Sequence, residues 1–295
     1  MDRSRYSPVR TGPNGRARVE LADDHPGVTD PSYRERRDAL AELALAWTPG
    51  QAIARPTYRD EEHRVWQLVS AQLEGLHERF ACQAFLEGKE ALALPTERIP
   101  QLDEVTTLLE PSAGFRYQPV AGLAPLRDFY RSFADGVFWS TQYIRHPSEP
   151  LYTPEPDLIH EVIGHANQLA HPVFPELYRL FGDAVNRVGS DDALRFLSQV
   201  FWYTMEFGVL WEGSDLRAFG AGILSSVGET RTFGQADIRP ADISAMGWAS
   251  YDIAHPQPVL YSWSSISEMH HRLGEFVSDF DDAGFESLEA RHLVA

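Results

Sequence analysis

The stretch from residue 191 to 210, DDALRFLSQVFWYTMEFGVL, constrains the fold of this chain more than any other. It contains no proline and its one glycine lies near its end, so it predicts a helix buried in the protein core. Glu206 stands in this segment among apolar neighbours such as Phe201, Trp202 and Met205. Burying a carboxylate there is costly unless it is paired with a cation or bound to a metal ion. Glu206 is therefore a candidate metal ligand.

Helical spacing of apolar residues recurs along the chain. Further segments that predict helices are residues 30–47, 60–92, 103–112 and 125–139. The first has Asp30 as its predicted N-cap and Pro31 at its first helical position. Strand-like sequences are short and few: GFRYQPVAG, TQYIRH, TRTFG and PVLYSW. We therefore predict a mainly α-helical fold with a small β component.

The beginning of the chain differs in composition from the remainder. Residues 1–20 are rich in Arg, Pro and Gly, contain few large apolar residues and show no periodicity. Such a segment gains too little from burial to offset the entropy lost on ordering. We therefore predict a flexible tail over residues 1–20 and a single domain over residues 21–295.

Charge and cysteine content limit the classes of partner. The 295 residues carry a formal net charge of -17 with only 26 Lys and Arg residues, which argues against a nucleic-acid or anionic-membrane surface. The single cysteine, Cys82, can form neither an intramolecular disulfide nor a thiolate metal cluster, and we expect it to be buried. No apolar run of about 18 residues is present. We expect a cytoplasmic protein that binds a small molecule.

The sequence PDLIHEVIGH places His160 and His165 five residues apart. Zinc proteases use a spacing of four, which sets two imidazoles about 40° apart around an α-helix, whereas a spacing of five sets them about 140° apart. Two hypotheses follow. Either the pair is not a metal site, or the helix is distorted there by a π-bulge or an irregular first turn, which Gly164 would permit. A zinc hydrolase is disfavoured by the spacing.

His160, His165 and Glu206 would give two imidazoles and one carboxylate without a thiolate. This ligand set is that of the non-haem Fe(II) oxygenases, in which coordination positions stay free for dioxygen. The alternative is that the histidines are polar residues of a surface helix and that Glu206 faces solvent or pairs with an arginine. Spacing alone leaves both interpretations open.

The segments TQYIRHPSEPLYTPEPDLIHEVIGH, FWYTMEFG and FGAGILSSVGE resemble the catalytic domain of the pterin-dependent aromatic amino acid hydroxylases. The resemblance extends over roughly residues 22–285. In that family the two histidines stand five apart and bind iron with a later glutamate. The resemblance implies a single hydroxylase-like catalytic domain, Fe(II) and tetrahydrobiopterin or another tetrahydropterin as cofactors, and O2 as co-substrate.

The resemblance also implies roles for individual residues. His160, His165 and Glu206 would be the Fe(II) ligands and the catalytic centre. The pterin-binding residues would be Gly122, Leu123, Phe129 and Glu161. The substrate-binding residues would be Arg145, Thr153, Pro156, Asp157, Trp202 and Ser225. Among these, Arg145 would hold the substrate carboxylate, and Asp157 would orient Arg145.

Some positions depart from the family pattern. Trp139 stands where a histidine is common, Phe201 where a tyrosine is common, and residues 166–168 read Ala-Asn-Gln in place of Val-Pro-Leu. None is an expected ligand, but the first two remove polar contacts from the cofactor side.

Substrate choice follows from Trp202 and Ile253. Trp202 resembles the phenylalanine and tyrosine branches, and the aliphatic Ile253 favours phenylalanine over tyrosine because an apolar wall offers no partner to a phenol. The expected enzyme hydroxylates the ring of L-phenylalanine, at the para or meta position. A tryptophan hydroxylase and a pterin or amino acid binding protein without turnover are the alternatives. We expect a monomer or a weak homodimer.

Overall fold

The computed structural model describes residues 8–12, 15–151, 153, 155–251 and 255–293. Thirteen α-helices are found in these residues. They are α1 (Pro31–Ala46), α2 (Asp60–Phe80), α3 (Gln83–Leu92), α4 (Leu102–Ala113), α5 (Leu126–Ala134), α6 (Asn167–Leu169), α7 (Val173–Arg187), α8 (Asp191–Phe201), α9 (Ala221–Leu224), α10 (Val227–Thr232), α11 (Ile243–Trp248), α12 (Ile266–Asp279) and α13 (Asp282–His292). Two short π-helices, π1 (His160–Ala166) and π2 (Trp202–Glu206), complete the helical part together with a 3-10 turn at Phe233–Gln235.

The strands within the described ranges form three small sheets. They are β1 (Val9–Thr11), β2 (Ala17–Val19), β3 (Arg116–Pro119), β4 (Val137–Ser140), β5 (Val209–Glu212), β6 (Asp215–Ala218), β7 (Asp237–Pro240) and β8 (Val259–Trp263). β1 pairs with β2 antiparallel, β3 pairs with β4 parallel, and the four-stranded sheet has the order β6-β5-β8-β7. The predicted fold class, mainly α with a small β component, is confirmed.

Several predicted elements occur where the sequence placed them. Asp30 caps α1 by accepting hydrogen bonds from the backbone N–H groups of Ser32 and Tyr33, and Pro31 opens the helix. The segment from residue 60 to 92 forms α2 and α3, as predicted. Cys82, between these two helices, is fully buried.

In the described part of the chain, a hydrophobic core rich in aromatic side chains extends from α2 to α13. Its largest fully buried side chains include Trp66, Phe133, Phe138 and Phe181, and the core is continuous with the residues around π1 and π2. The metal-site candidates therefore lie on elements that are packed against the core, which restrains their positions. Among the described residues, no helix is long and apolar enough to cross a membrane.

Two predicted helices end earlier than expected. The segment 125–139 is helical only to Ala134, because Gly136 takes a left-handed conformation at φ 63° and turns the chain into β4. The segment 191–210 is an α-helix to Phe201, continues as π2, and then leaves the helix for β5. β5 pairs with both β6 and β8, so sheet pairing replaces the last predicted helical turn.

Two of the four strand predictions were wrong. GFRYQPVAG and PVLYSW contain β3 and β8, whereas TRTFG is helical and TQYIRH forms no strand. In TRTFG, the hydroxyl of Thr230 donates to the carbonyl oxygens of Ile223 and Ser226, which stabilises the helical turn. In TQYIRH, the backbone N–H of Arg145 donates to the carboxylate of Asp157 and not to a neighbouring strand.

The N-terminal segment also differs from the prediction. The antiparallel pair β1 and β2 lies inside residues 1–20, for which we predicted a flexible tail. The backbone N–H of Val19 donates to Asp38 of α1 at 2.7 Å, and this contact anchors the hairpin to the helical domain. Residues 1–7 lie outside the described residues, and the domain boundary at residue 21 stays a prediction.

Candidate active site

The two histidines of the site lie on π1, whose wider turn brings side chains five residues apart onto one face. The Nε2 atoms of His160 and His165 are 3.0 Å apart, and the two rings stand almost perpendicular, at 85°. Gly164 allows α9 to pack directly against π1, since a Cβ there would lie 2.8 Å from the carbonyl oxygen of Ala221. The hypothesis of a distorted helix is confirmed.

Glu206, the last residue of π2, faces the two histidines. Its Oε1 lies 3.2 Å from Nε2 of His165 and its Oε2 lies 3.6 Å from Nε2 of His160. The three ligand atoms are all within 4.8 Å of one another, and Oε2 is buried with no hydrogen-bond partner in the described part of the chain. Two nitrogens and one carboxylate that converge in this way fit a divalent metal ion such as Fe(II).

The electrostatics of these groups favour their ligand forms. Burial lowers the pKa of His160 to about 4, so its imidazole is neutral at neutral pH. Burial alone would raise the pKa of Glu206, but His165 and His160 beside it hold that pKa below its ordinary value. A neutral imidazole and an ionised carboxylate are the forms that bind a metal.

Each histidine is held through its other ring nitrogen. Nδ1 of His160 lies 3.0 Å from the hydroxyl of Ser225, and Nδ1 of His165 lies 2.7 Å from the hydroxyl of Tyr178. The Tyr178 hydroxyl also bonds the side chain of Gln168. We predicted Ser225 as a substrate residue, and the structure places it against His160. Tyr178 and Gln168 were not predicted, although Gln168 is one of the three departures noted after His165.

Arg145 and Asp157 form a buried pair next to the candidate metal site. Nε and Nη2 of Arg145 lie 2.9 and 2.8 Å from the two carboxylate oxygens of Asp157, which also accepts a hydrogen bond from the backbone N–H of His160. Burial would raise the pKa of Asp157, but Arg145 holds it below its ordinary value. The structure thus joins the two residues for which we predicted a common role, and it links them to the first iron-ligand candidate.

The loop that carries Thr153, Pro156 and Asp157 is anchored to α1 through Glu155. The carboxylate of Glu155 accepts a hydrogen bond from Arg37 of α1 at 2.7 Å, and the hydroxyl of Thr153 donates to the carbonyl oxygen of Glu155 at 2.6 Å.

Arg37, in turn, lies 3.4 Å above the ring centroid of Tyr143, whose hydroxyl donates to the carbonyl oxygen of Pro156. No signal in the sequence marks the Arg37 and Glu155 pair, because charged residues are usually exposed.

Of the residues predicted to bind the pterin, Phe129 is linked to His165 through Phe138. The ring of Phe129 packs edge-on against Phe138, with 5.7 Å between centroids, and Phe138 lies 4.8 Å from His165. Glu161 is buried, and burial together with the charge of Glu206 raises its pKa well above the ordinary value.

Gly122 is partly exposed and Leu123 is 55% exposed, on the loop that precedes α5. Phe138 thus links Phe129 to His165, and Glu161 follows His160 in π1, whereas contact of any of these four residues with a cofactor stays a prediction.

Trp202, the first residue of π2, is stacked on Tyr251 with 4.0 Å between ring centroids and 8° between planes. Its indole N–H lies 3.3 Å from Oε1 of Gln257, and its ring also contacts Phe207. Tyr251 and Gln257 were not predicted. Ile253, on which the substrate prediction relied, lies outside the described residues.

Comparisons with known proteins identify the family of this chain. The profile of the biopterin-dependent aromatic amino acid hydroxylases matches residues 15–286. Phenylalanine 3-hydroxylase of Streptomyces coeruleorubidus is 41% identical over 264 residues, which cover 90% of this chain and 95% of that protein. The chloroplastic phenylalanine 4-monooxygenase of Pinus taeda is 43% identical over 211 residues, which cover 72% of this chain and 59% of the pine protein.

Solved structures give the same result. The apo phenylalanine hydroxylase of Colwellia psychrerythraea superposes with a TM-score of 0.74 at 31% identity, covering 83% of this chain and 92% of that chain. The Chromobacterium violaceum phenylalanine hydroxylase with bound iron(III) and 7,8-dihydrobiopterin superposes with a TM-score of 0.71 at 28% identity, covering 81% and 84%. With the profile matched over most of its length, this chain belongs to the biopterin-dependent aromatic amino acid hydroxylase family.

Proposed function

We propose that this chain is a non-haem Fe(II), tetrahydrobiopterin-dependent monooxygenase that hydroxylates the aromatic ring of L-phenylalanine. The observation that carries the proposal is the convergence of His160, His165 and Glu206 beside the buried pair of Arg145 and Asp157. A metal site next to a buried arginine can place an amino acid with its carboxylate on the arginine and its side chain towards the metal. The similarity to phenylalanine hydroxylases supports phenylalanine as the substrate.

The three ligand candidates would hold the iron on one face and leave its remaining positions accessible. When bound, iron and tetrahydropterin supply the electrons and the site for dioxygen reduction. The protein contributes fixed geometry: His165 is held by Tyr178, His160 is held by Ser225, and both π-helices pack on the core. Phe129 and Glu161, with Gly122 and Leu123 in the preceding loop, would bind the pterin.

Arg145 would bind the substrate carboxylate through Nη1, because Asp157 occupies its Nε and Nη2. Asp157 keeps the guanidinium in one orientation, which reduces the entropy lost when substrate binds. Thr153 and Pro156 lie on the same loop as Asp157, and Trp202 would form an apolar wall for the phenyl ring.

The test is an assay of the purified chain loaded with Fe(II) under anaerobic conditions. Air, a tetrahydropterin and an equimolar mixture of ring-deuterated phenylalanine, unlabelled tyrosine and unlabelled tryptophan are then added, and the products are separated by chromatography and identified by mass, so that tyrosine formed from phenylalanine is distinguished from added tyrosine. We expect a hydroxylated phenylalanine that forms only with pterin, and its retention time identifies the para or the meta isomer. Hydroxylated tryptophan as the main product would refute phenylalanine as the preferred substrate. A separate incubation of the zinc-loaded chain with a peptide and without pterin tests the zinc-hydrolase alternative, which peptide cleavage would indicate.

Variants connect the activity to the site. Glu206→Gln should abolish product formation, because an amide is a poor metal ligand and cannot balance the metal charge. Glu110→Gln is the matched control, since this carboxylate is exposed and pairs only loosely with Arg116 at 3.9 Å. Equal activity of the two variants would refute the assignment of Glu206.

We further propose that the chain acts as a monomer or weak homodimer in the cytoplasm, with no nucleic-acid or membrane partner. The net charge of -17 supports the absence of a polyanionic partner. Light scattering over a range of concentrations measures the oligomeric state, and a stable tetramer would refute this part of the proposal.

A further inference from the structure

Gln168 connects the two π-helices of the site. Its side-chain amide lies 3.1 Å from the carbonyl oxygen of Met205, the residue before Glu206, and 2.8 Å from the carbonyl oxygen of Phe219. Its other end bonds the hydroxyl of Tyr178, which lies 2.7 Å from Nδ1 of His165. Gln168 and Tyr178 are both fully buried. One chain of hydrogen bonds thus runs from the backbone beside Glu206 to the ring of His165.

The direction of each bond in this chain is determined. Carbonyl oxygens only accept hydrogen bonds, so the end of Gln168 that faces Met205 and Phe219 must be its NH2 group. Its Oε1 therefore faces Tyr178 and accepts the phenol proton. The Tyr178 oxygen is then left to accept a hydrogen bond from Nδ1–H of His165. With the proton on Nδ1, Nε2 of His165 carries a free lone pair.

We infer that Gln168 and Tyr178 are positioning residues, which fix the tautomer and orientation of His165 and tie it to the segment that carries Glu206. This inference rests on the proposed iron site. Nε2 of His165 is the atom that points at Glu206, 3.2 Å away, so the fixed tautomer presents a lone pair where a metal ion would be bound. Outer hydrogen bonds of this kind orient metal ligands and raise their affinity.

The competing arrangement is also defined by the structure. Without the Tyr178 oxygen, the proton on Nδ1 of His165 would lose its acceptor. The proton would then be more stable on Nε2, where it can be donated to Oε1 of Glu206. That tautomer blocks the ligand atom of His165 and occupies one oxygen of Glu206. A metal ion must then displace this hydrogen bond, so the loss of one phenolic oxygen should weaken metal binding without removing any ligand.

The first experiment reads the tautomer directly, in the metal-free chain. Long-range 15N–1H correlation spectra distinguish Nδ1–H from Nε2–H histidines, and the His165 signals are assigned by their loss in His165→Gln. We expect Nδ1–H in the wild-type chain and Nε2–H in Tyr178→Phe. An unchanged Nδ1–H tautomer in Tyr178→Phe would overturn the inference, because it would show that another group holds the proton.

The second experiment measures metal affinity with Co(II) as the probe, by titration of its d–d absorption bands. Tyr178→Phe and Gln168→Leu should each bind Co(II) roughly tenfold more weakly or worse and with shifted bands. The double variant should lose little more than either single variant, because both act through one chain of hydrogen bonds.

Matched controls separate positioning from general stability. Tyr58→Phe and Gln142→Leu remove a buried phenol oxygen and a buried amide that bond main-chain carbonyl oxygens away from the site. They should lose stability in urea and bind Co(II) as the wild-type chain does. Equal Co(II) binding by all four variants would overturn the inference, as would additive losses in the double variant. Failure of the wild-type chain to bind Co(II) would instead overturn the proposed iron site, and the positioning inference with it.

Discussion

Replacement of Asp157 by asparagine tests the buried pair on which the substrate site depends. The carboxylate is fully buried and accepts four hydrogen bonds: from the backbone N–H, Nε and Nη2 of Arg145, and from the backbone N–H of His160. An asparagine side chain at this position would have one oxygen acceptor and one NH2 donor. At least one of the four N–H groups would then face another donor, and the guanidinium would lose its counter-charge.

The expected magnitude follows from burial. Arg145 is 4% exposed, so water cannot replace the lost carboxylate. Removing one member of a buried ion pair costs about 3–5 kcal/mol, because the remaining charge stays buried without compensation. We therefore expect Asp157→Asn to lower the free energy of unfolding by about this amount. Because Arg145 would no longer be held in one orientation, the KM for phenylalanine should also rise.

The assay is urea unfolding of the metal-free chain, followed by circular dichroism. The control is Asp103→Asn, since Arg55 contacts Asp103 through Nε and Nη2 as well, but that pair lies at the surface with 56% and 39% of its side chains exposed. Water screens an exposed pair, so the control should lose far less stability. If both variants lose the same amount, the reasoning from burial is refuted.

Acid unfolding gives an independent check on Asp157. Its pKa in the folded chain lies below the ordinary value, so the unfolded chain binds a proton more readily. The stability that this carboxylate contributes is present above its unfolded pKa of about 4 and is lost as the pH falls through its folded pKa. Asp157→Asn should remove this part of the acid dependence. If Asp157→Asn loses as much stability between neutral pH and the acid transition as the wild-type chain does, the assignment is contradicted.

Two further predictions concern packing and titration. Gly164→Ala should lower the free energy of unfolding by about 1–3 kcal/mol, because its Cβ would lie 2.8 Å from the carbonyl oxygen of Ala221. The control Gly75→Ala in α2 meets nothing within 4 Å and should raise the free energy of unfolding by up to about 1 kcal/mol in the same urea assay. A gain in both variants would contradict the close approach of Gly164 to Ala221. Burial lowers the pKa of His77 to about 4. Between about pH 6.5 and 4, His77 is therefore protonated in the unfolded chain but neutral in the folded chain. Roughly 3 kcal/mol of stability should be lost as the pH falls across this window. His77→Gln should show a smaller loss in urea melts at pH 7 and 4.5, and an unchanged pH dependence would refute the assignment.

Much of the helical framework could be predicted because its signals are local. Asp30 and Pro31 specify the start of α1, and the apolar periodicity of residues 60–92 specifies α2 and α3. The short strands were harder to predict, because their pairing is decided by distant segments. TRTFG and PVLYSW have similar β-propensity, yet only the second has strands on both sides of it to pair with.

A residue of the site could be predicted where its type and its neighbours in the sequence already indicate its chemistry. His160, His165 and Glu206 carry unusual residue types in an apolar context, and the structure brings them together. Arg37 and Glu155 carry ordinary charged types, and only the fold shows that the pair is buried. No local pattern distinguishes such a pair from surface charges.

The two π-helices differ in how they could be recognised, and the difference has a physical origin. π1 carries two ligand candidates, so its wide turn is recorded in the five-residue spacing of His160 and His165. π2 carries a single ligand candidate, Glu206, so no spacing between ligands records its turn, and we predicted an ordinary α-helix there. The spacing of metal ligands reveals such a turn only when at least two residues of that turn are candidates for the same ion. Gln168 hydrogen-bonds the backbone of Met205 in π2 and, through Tyr178, the ring of His165 in π1. The relative position of the two π-helices therefore depends on the folded structure and not on either segment alone.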